Sequence, residues 1–339
     1  MRQIRDLLPR LATGLRRGAA LGVLLAATAT VSAPAQAESV KMTLLLDWAW
    51  LPYHSPFLIA KDKGYYSDAG LDVTIEQGRG SANTAVLLSQ NKAEMAHLNI
   101  TNAAQLIGKG GDIKVVGIYQ HKSGASFVGI KGKVKLDGPE SLIGPRIGST
   151  PGGSDALSLK IFSKATGMDL AKLDIVSLEG NAKTAALFGG KIDVVSGDAP
   201  AFNSYVQATG QEPETLLLAD HGLPLIGFGF AANSDFMKDH PEAVAKFLAA
   251  TKKGFQDAIA DPAAACAFMA ETVHLSGEQS RCVNYVNGLL ALSTPPTSAD
   301  WGKQSAEEWT ALTSVLRDVG ELESDKPIEH FYTNEFVPQ

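Results

Sequence analysis

Lys41-Met42-Thr43-Leu44-Leu45-Leu46 runs straight into Asp47-Trp48-Ala49-Trp50-Leu51-Pro52-Tyr53-His54-Ser55-Pro56. The first six residues read as a buried strand, and the next ten hold two Trp, a Tyr, a His and an Asp. An aromatic and polar cluster at the carboxyl end of a strand is where open α/β sheets place ligands. Such a cluster also suits the corner of an aromatic core, since buried Trp and Tyr are common. Downstream, strand and helix alternate with short connections. Residues 71–75 read as a strand, 81–89 as a helix, 94–99 as a strand, 102–108 as a helix and 113–119 as a strand. The rhythm restarts with a strand end at 146–149, a helix at 155–166, a strand at 173–177, a helix at 182–188 and a strand at 192–195. After a final strand-like run at 225–232 come amphipathic helices at 240–260, 262–272, 276–292 and 306–320. Two mostly parallel sheets flanked by helices, with a helical tail, are the expectation.

The N-terminus points to export. Arg2, Arg5, Arg10, Arg16 and Arg17 precede an apolar stretch of small residues at 18–31, and Ala35-Gln36-Ala37 supplies a small-x-small cleavage site. Residues 1–37 are therefore expected to be a signal peptide, with the mature, periplasmic chain starting near Glu38; the route, general or twin-arginine, stays open. The apolar stretch is shorter than the roughly 20 residues of a spanning helix, so no membrane anchor is expected. About 300 residues follow, enough for two domains. A net charge of -6 with no basic run outside the leader disfavours a nucleic-acid partner. Cys266 and Cys282 are the only cysteines and, in an exported chain, are expected to form a disulfide. No metal and no cofactor are expected.

Residues 124–130 and 227–233 lie where one rhythm stops and another begins, and are the natural crossovers between the halves. The expected lobes are 38–125 with 228–339, and 126–227. Ligand would sit between them and draw them together.

The residues also carry a family resemblance. Asp47-Trp48 with His54 seven positions after the Asp, then Leu58-Ile59-Ala60-Lys61-Asp62-Lys63-Gly64-Tyr65-Tyr66 and Gly70-Leu71-Asp72-Val73, closely resemble the opening of the thiamine-pyrimidine-precursor binding proteins. These belong to the wider nitrate/sulfonate/taurine class of periplasmic receptors for ABC importers. Gly80-Ser81-Ala82-Asn83-Thr84, Asp137-Gly138-Pro139-Glu140-Ser141, and Gly190-Lys191-Ile192-Asp193 leading to Gly197-Asp198 agree with it. The resemblance implies a two-lobed periplasmic-binding-protein fold of type II-like form. It also implies a small-molecule ligand, an ABC permease with its ATPase as partner, and a monomer.

Candidate ligand-binding residues follow from position and chemistry. Trp48, Trp50, Tyr53 and Tyr119 could sandwich a flat ring. Ser81, Asn83 and Thr84 open one helix; Ser149, Thr150, Gly152, Gly153 and Ser154 form a glycine-rich turn before another, where free N–H groups receive an oxygen. Asp47, His54, Asn102, His121, Asn181 and Asp198 lie at strand ends or just beyond, with polar groups suited to ring nitrogens, amines or carbonyls. Each of these polar groups equally suits a capping or loop role. The glycine-rich turn lacks the Lys of a phosphate loop. A neutral or singly charged heteroaromatic, pyrimidine-like, is the expected ligand; a sulfonate or other small organic anion is the alternative. A related fungal-type branch makes the thiamine pyrimidine and relies on a Cys-rich segment. Between Gly180 and Asp198 this chain has no cysteine. Without a hydrolase elbow or a metal-binding helix, the expectation is that the protein is not an enzyme.

Overall fold

Strand β1 (Val40–Leu45) forms because its branched and long apolar side chains suit a sheet buried on both faces. In the computed structural model, which describes residues 39–150, 154–178, 180–274 and 277–338 and only the backbone at 180 and 181, β1 lies inside the first of two five-stranded sheets. The proposed leader, residues 1–37, lies outside the described residues. The other strands are β2 (Leu71–Glu76), β3 (Met95–Asn99), β4 (Ile113–Ile118), β5 (Ala125–Ile130), β6 (Arg146–Ser149), β7 (Asp174–Ser177), β8 (Val194–Asp198), β9 (Pro213–Leu217) and β10 (Phe228–Asn233). The sheet orders are β2-β1-β3-β10-β4 and β7-β6-β8-β5-β9. In the first, β1 pairs parallel with β2 and β3, while β10 runs antiparallel between β3 and β4. The second repeats the plan, with β6 parallel to β7 and β8 and with β5 antiparallel to β8 and β9.

Both sheets are thus mostly parallel, as the rhythm implied, and the antiparallel member of each is the strand that arrives from the other sheet. The chain changes sheets at residues 119–124 and again at 218–227. The runs read as crossovers are largely β5 and β10 themselves. Elements without a counterpart in the sequence reading include the helices Ser55–Asp62, Tyr65–Asp68, Ala199–Ala208 and Ser234–Asp239 and the edge strand β9.

Helices cover the sheets. Pro241–Ala260 lies against the helix Ser55–Asp62, and Gly254 permits the crossing, since a Cβ there would sit 2.1 Å from the Pro56 carbonyl oxygen. The tail returns to both lobes. Its helix Gln279–Leu290 packs on Ala199–Ala208 of the second, with Gly288 against Pro200. Ala306–Asp318 starts with a capping box in which Ser305 and Glu308 satisfy each other's backbone N–H groups. Cys266 and Cys282 form a disulfide that clips Pro262–Val273 to Gln279–Leu290. Among the described residues no helix is long and apolar enough to cross a membrane.

Candidate functional site

The Asp-Trp turn splits into two parts once folded. Asp47 and Tyr53, His54 turn inward, while Trp48 stays 48% exposed at the lip of a cleft. The buried part is a closed hydrogen-bond network. Asp47 Oδ2 accepts from the Tyr53 hydroxyl at 2.6 Å, and Oδ1 faces His54 Nε2 and His97 Nδ1, each at 2.9 Å. His54 Nδ1 accepts the Leu51 N–H at 3.1 Å, so its proton resides on Nε2 and is donated to Asp47. On the far side of His97, Nε2 meets the Tyr119 hydroxyl at 2.8 Å. Burial works against the Asp47 carboxylate, but the hydrogen bonds and charge of His54 and His97 overcome it and hold the group well below the usual carboxylate range. His54 is held below its ordinary value by burial despite Asp47. Tyr53 and Tyr119 are pushed up by burial and by the Asp47 charge. Ligand atoms of Asp47, His54 and His97 lie within 4.8 Å of one another, a spacing that could hold a cation. Their nitrogens and oxygens are already spent on each other and on Leu51, Tyr53 and Tyr119.

This network touches the cleft through one ring. Phe228 stacks on His97 at 5.2 Å and on Tyr53 at 5.3 Å, and it also lines the cleft. The cleft has a volume of about 930 Å³ and takes its walls from both sheets. From the first come Trp48, Arg79, Ser81, Asn83, Asn99 and Asn102; from the second, Thr150, Ser154, Asp155, Lys183, Ser196 and Asp198. Gly78 lets the 77–80 loop close on the end of β1, because a Cβ there would lie 1.9 Å from the Leu46 carbonyl oxygen.

The second wall is built around a buried ion pair. Lys183 Nζ donates to Asp155 Oδ2 at 3.0 Å and to the Ser196 carbonyl at 2.9 Å. The same Asp155 oxygen accepts from Ser149 Oγ at 3.1 Å and from the Thr150 N–H at 2.8 Å, tying the end of β6 to the start of the helix Ser154–Thr166. Asp198 caps the helix Ala199–Ala208 with Oδ2 toward the Ala201 N–H at 3.2 Å. Burial raises its pKa to about 6 against the pull of that N–H, with the Asp47 charge adding to the rise. Across the rim, Lys160 Nζ reaches Glu321 Oε1 at 2.7 Å, and Gln105 of the first lobe donates to Glu321 Oε2 at 3.1 Å. Of three cations and three carboxylates in the lining, Arg79 and Asp198 are left without an ion-pair partner among the described residues.

The cleft thus collects Trp48, Ser81, Asn83, Asn102, Thr150, Ser154 and Asp198 from the candidates. Asp47, Tyr53, His54 and Tyr119 lie behind it. Trp50 is half-buried, its N–H on Gln77 and its ring edge-on to His54. Thr84 is buried and donates to the Leu46 carbonyl; Ser149 is buried on Asp155. His121 pairs with Glu308 at 2.9 Å, outside the lining. Gly152, Gly153 and the Asn181 side chain lie outside the described residues. Two expected caps move by a few residues: Gly80 precedes the helix Ser81–Ser89, and Asn99 rather than Asn102 caps Ile100–Gly108. Sequence reasoning passed over Arg79, Gln120 and Lys183, and read Asp155 only as a helix cap. Lys183 and Asp155 are 28 residues apart, and only the order of β6 and β8 in the sheet brings them together.

Comparison with known proteins adds three findings. The riboflavin-binding protein RibY of Chloroflexus aurantiacus is 27% identical, covering 92% of this chain and 91% of its own. A 4-amino-5-hydroxymethyl-2-methylpyrimidine phosphate synthase of Uromyces fabae is 24% identical over 88% of this chain and 87% of its own. The alkanesulfonate-binding protein SsuA of Xanthomonas axonopodis pv. citri, bound to MOPS, shares the fold with a TM-score of 0.64 at 17% identity, over 86% of this chain and 98% of that one. The synthase corrects one expectation. A relative matched over most of both chains is named as an enzyme, so the expectation that the protein is not an enzyme is withdrawn. The family model described as NMT1/THI5 like matches residues 51–265, and on that match the chain belongs to the NMT1/THI5-like family.

Proposed function

We propose that this protein is a periplasmic solute receptor, holding a small heteroaromatic molecule between its two lobes and passing it to an ABC permease. The observation that carries the reading is the cleft itself: about 930 Å³, walled by both sheets, with an exposed Trp at its lip and polar groups converging from either side. Ligand pockets of roughly 300–1,000 Å³ have this make-up. Trp48 offers a face for a flat ring, which gains about 0.5–1.5 kcal/mol beyond burial. The charges of the lining balance, so a neutral or zwitterionic ligand meets no net repulsion. The names of two relatives, a riboflavin-binding protein and a synthase of a pyrimidine phosphate, fit a nitrogen heterocycle. A second reading, a receptor for an organic sulfonate, draws on Arg79 at the cleft and on the SsuA fold.

Titrating the purified protein with riboflavin, 4-amino-5-hydroxymethyl-2-methylpyrimidine and MOPS separates these readings. Saturable binding of one of the heterocycles, with a Kd of about 1 µM or tighter and a smaller radius of gyration on binding, is expected. Trp48→Ala should weaken it by about 1–3 kcal/mol. Binding of MOPS alone would favour the sulfonate reading, and no binding of any of the three would overturn the heteroaromatic one.

A further inference from the structure

One residue of the cleft lining carries a buried donor with no partner among the described residues. Gln120 lies in the first passage between the sheets and is fully buried. It ties the two passages together: its N–H donates to the Phe228 carbonyl at 3.1 Å, and its carbonyl accepts from the Gly227 N–H at 3.0 Å. The side chain adds a third bond, Oε1 accepting the Phe228 N–H at 3.0 Å. A backbone N–H can only donate, so the amide oxygen must face it and the orientation of the side chain is fixed. The NH2 group is thereby turned away, and Nε2 has no partner among the described residues. Gly227 makes room for this placement, since a Cβ there would lie 2.1 Å from Gln120 Oε1. Gln120 lines the cleft beside Phe228.

A buried donor without an acceptor costs free energy in the empty protein, and an occupant that supplies an acceptor removes that cost. We propose that Gln120 is a specificity-determining residue, donating from Nε2 to a ring nitrogen or carbonyl oxygen of the bound heterocycle. The inference rests on the receptor reading and names the group that ligand must present. A molecule of the same shape with a C–H in place of the acceptor leaves the donor unpaired and is rejected, in the way a hydrogen-bonding site rejects analogues that lack the matching group. Gln120 therefore selects for an acceptor at one edge of the ring, whereas Trp48 is indifferent to which atoms the ring contains.

The test pairs variants with analogues. Wild type, Gln120→Leu and Gln120→Glu are titrated at pH 8 with riboflavin, with 4-amino-5-hydroxymethyl-2-methylpyrimidine and with the two pyridines in which one ring nitrogen of that pyrimidine is replaced by C–H. Gln120→Glu keeps an oxygen facing Phe228 but replaces the donor by an acceptor and a charge; Gln120→Leu loses both without adding charge. If either variant fails to fold, the other carries the test. Wild type is expected to bind a heterocycle roughly 10- to 100-fold more tightly than the folded variant does. Where the pyrimidine is the heterocycle bound, wild type should discriminate against one pyridine by a similar factor, and the variant should discriminate by less than about threefold. Equal affinity in wild type and a folded variant, or discrimination that survives in the variant, overturns the role of Gln120 while leaving the receptor intact. Failure of wild type to bind any heterocycle overturns the receptor reading, and this inference with it.

Discussion

Two carboxylates, Asp47 and Asp198, stand at strand ends in the two lobes, and their surroundings set them to opposite tasks. Asp47 is buried and has three side-chain partners, Tyr53, His54 and His97, that favour its charge. Asp198 is half-buried at the cleft, with one backbone N–H and no cation bonded to it among the described residues. The first is a member of a finished structure, and the second has capacity left over. A polar cluster conspicuous in sequence is as readily a scaffold as a site, and spare hydrogen-bonding capacity is what tells them apart.

The strongest way to break the comparison is to remove Asp47. Asp47→Ala leaves two histidines and a tyrosine without their shared acceptor, and should cost about 4 kcal/mol of stability in urea unfolding. Its contribution is present above the unfolded carboxylate value of about 3.9 and is lost as pH falls toward the lower folded value, so the penalty of the substitution should shrink in acid. A loss under 1 kcal/mol would mean that the network is not the scaffold described here.

Reducing the Cys266–Cys282 bridge comes next. The bridge joins residues 16 apart in sequence that are not in the cleft lining, so reduction should lower stability by about 3 kcal/mol with no change in ligand affinity. A change in affinity would tie the tail helices to the site.

Asp198 should respond with the opposite sign. Its folded pKa, raised to about 6, lies above the unfolded value near 3.9, so the folded state holds the extra proton between them and ionisation costs stability fully above pH 6. Asp198→Asn keeps the helix cap, because Asn caps as well as Asp. It should stabilise the empty protein by about 1 kcal/mol at pH 8, allowing for partial solvent screening, and by nothing at pH 3.5. Equal effects at both pH values would show that the carboxylate is not strained by its place.

The smallest effect belongs to the rim. Glu321→Gln removes the ion pair with Lys160 that joins the lobes, and an exposed pair is worth about 0–1 kcal/mol. The expected readout is a slightly larger radius of gyration in the empty protein at low salt, absent at 0.5 M salt. A radius that does not move at low salt would remove this pair from the account of closure.

Much of this architecture was legible in the chain. The period-2 and period-3.6 patterns placed most strands and helices because buried faces impose those periods. Ala199–Ala208 escaped because Ala199-Pro200 after Asp198 reads as a turn, although Pro is at home in a first helical turn. Strand β9 starts at Pro213 and lies at a sheet edge with half-buried residues, so it carries little alternation. The site was legible only as a list of polar residues. No local pattern says that Tyr53 and His54 turn inward while Trp48 turns out, since neighbours in a turn are sorted by what packs on them. The Asp155–Lys183 pair depends on sheet order, and the idle donor of Gln120 is visible only when every hydrogen bond around it is counted.

The most direct test of the central claim sets the two carboxylates side by side. Asp47→Asn and Asp198→Asn are each titrated with the heterocycle that wild type binds, and each is unfolded in urea at pH 8 without ligand. The account predicts that Asp198→Asn is more stable than wild type yet binds at least tenfold more weakly, while Asp47→Asn is less stable and binds within about threefold of wild type. Weakened binding by Asp47→Asn with wild-type affinity in Asp198→Asn would contradict it and move the ligand into the aromatic network.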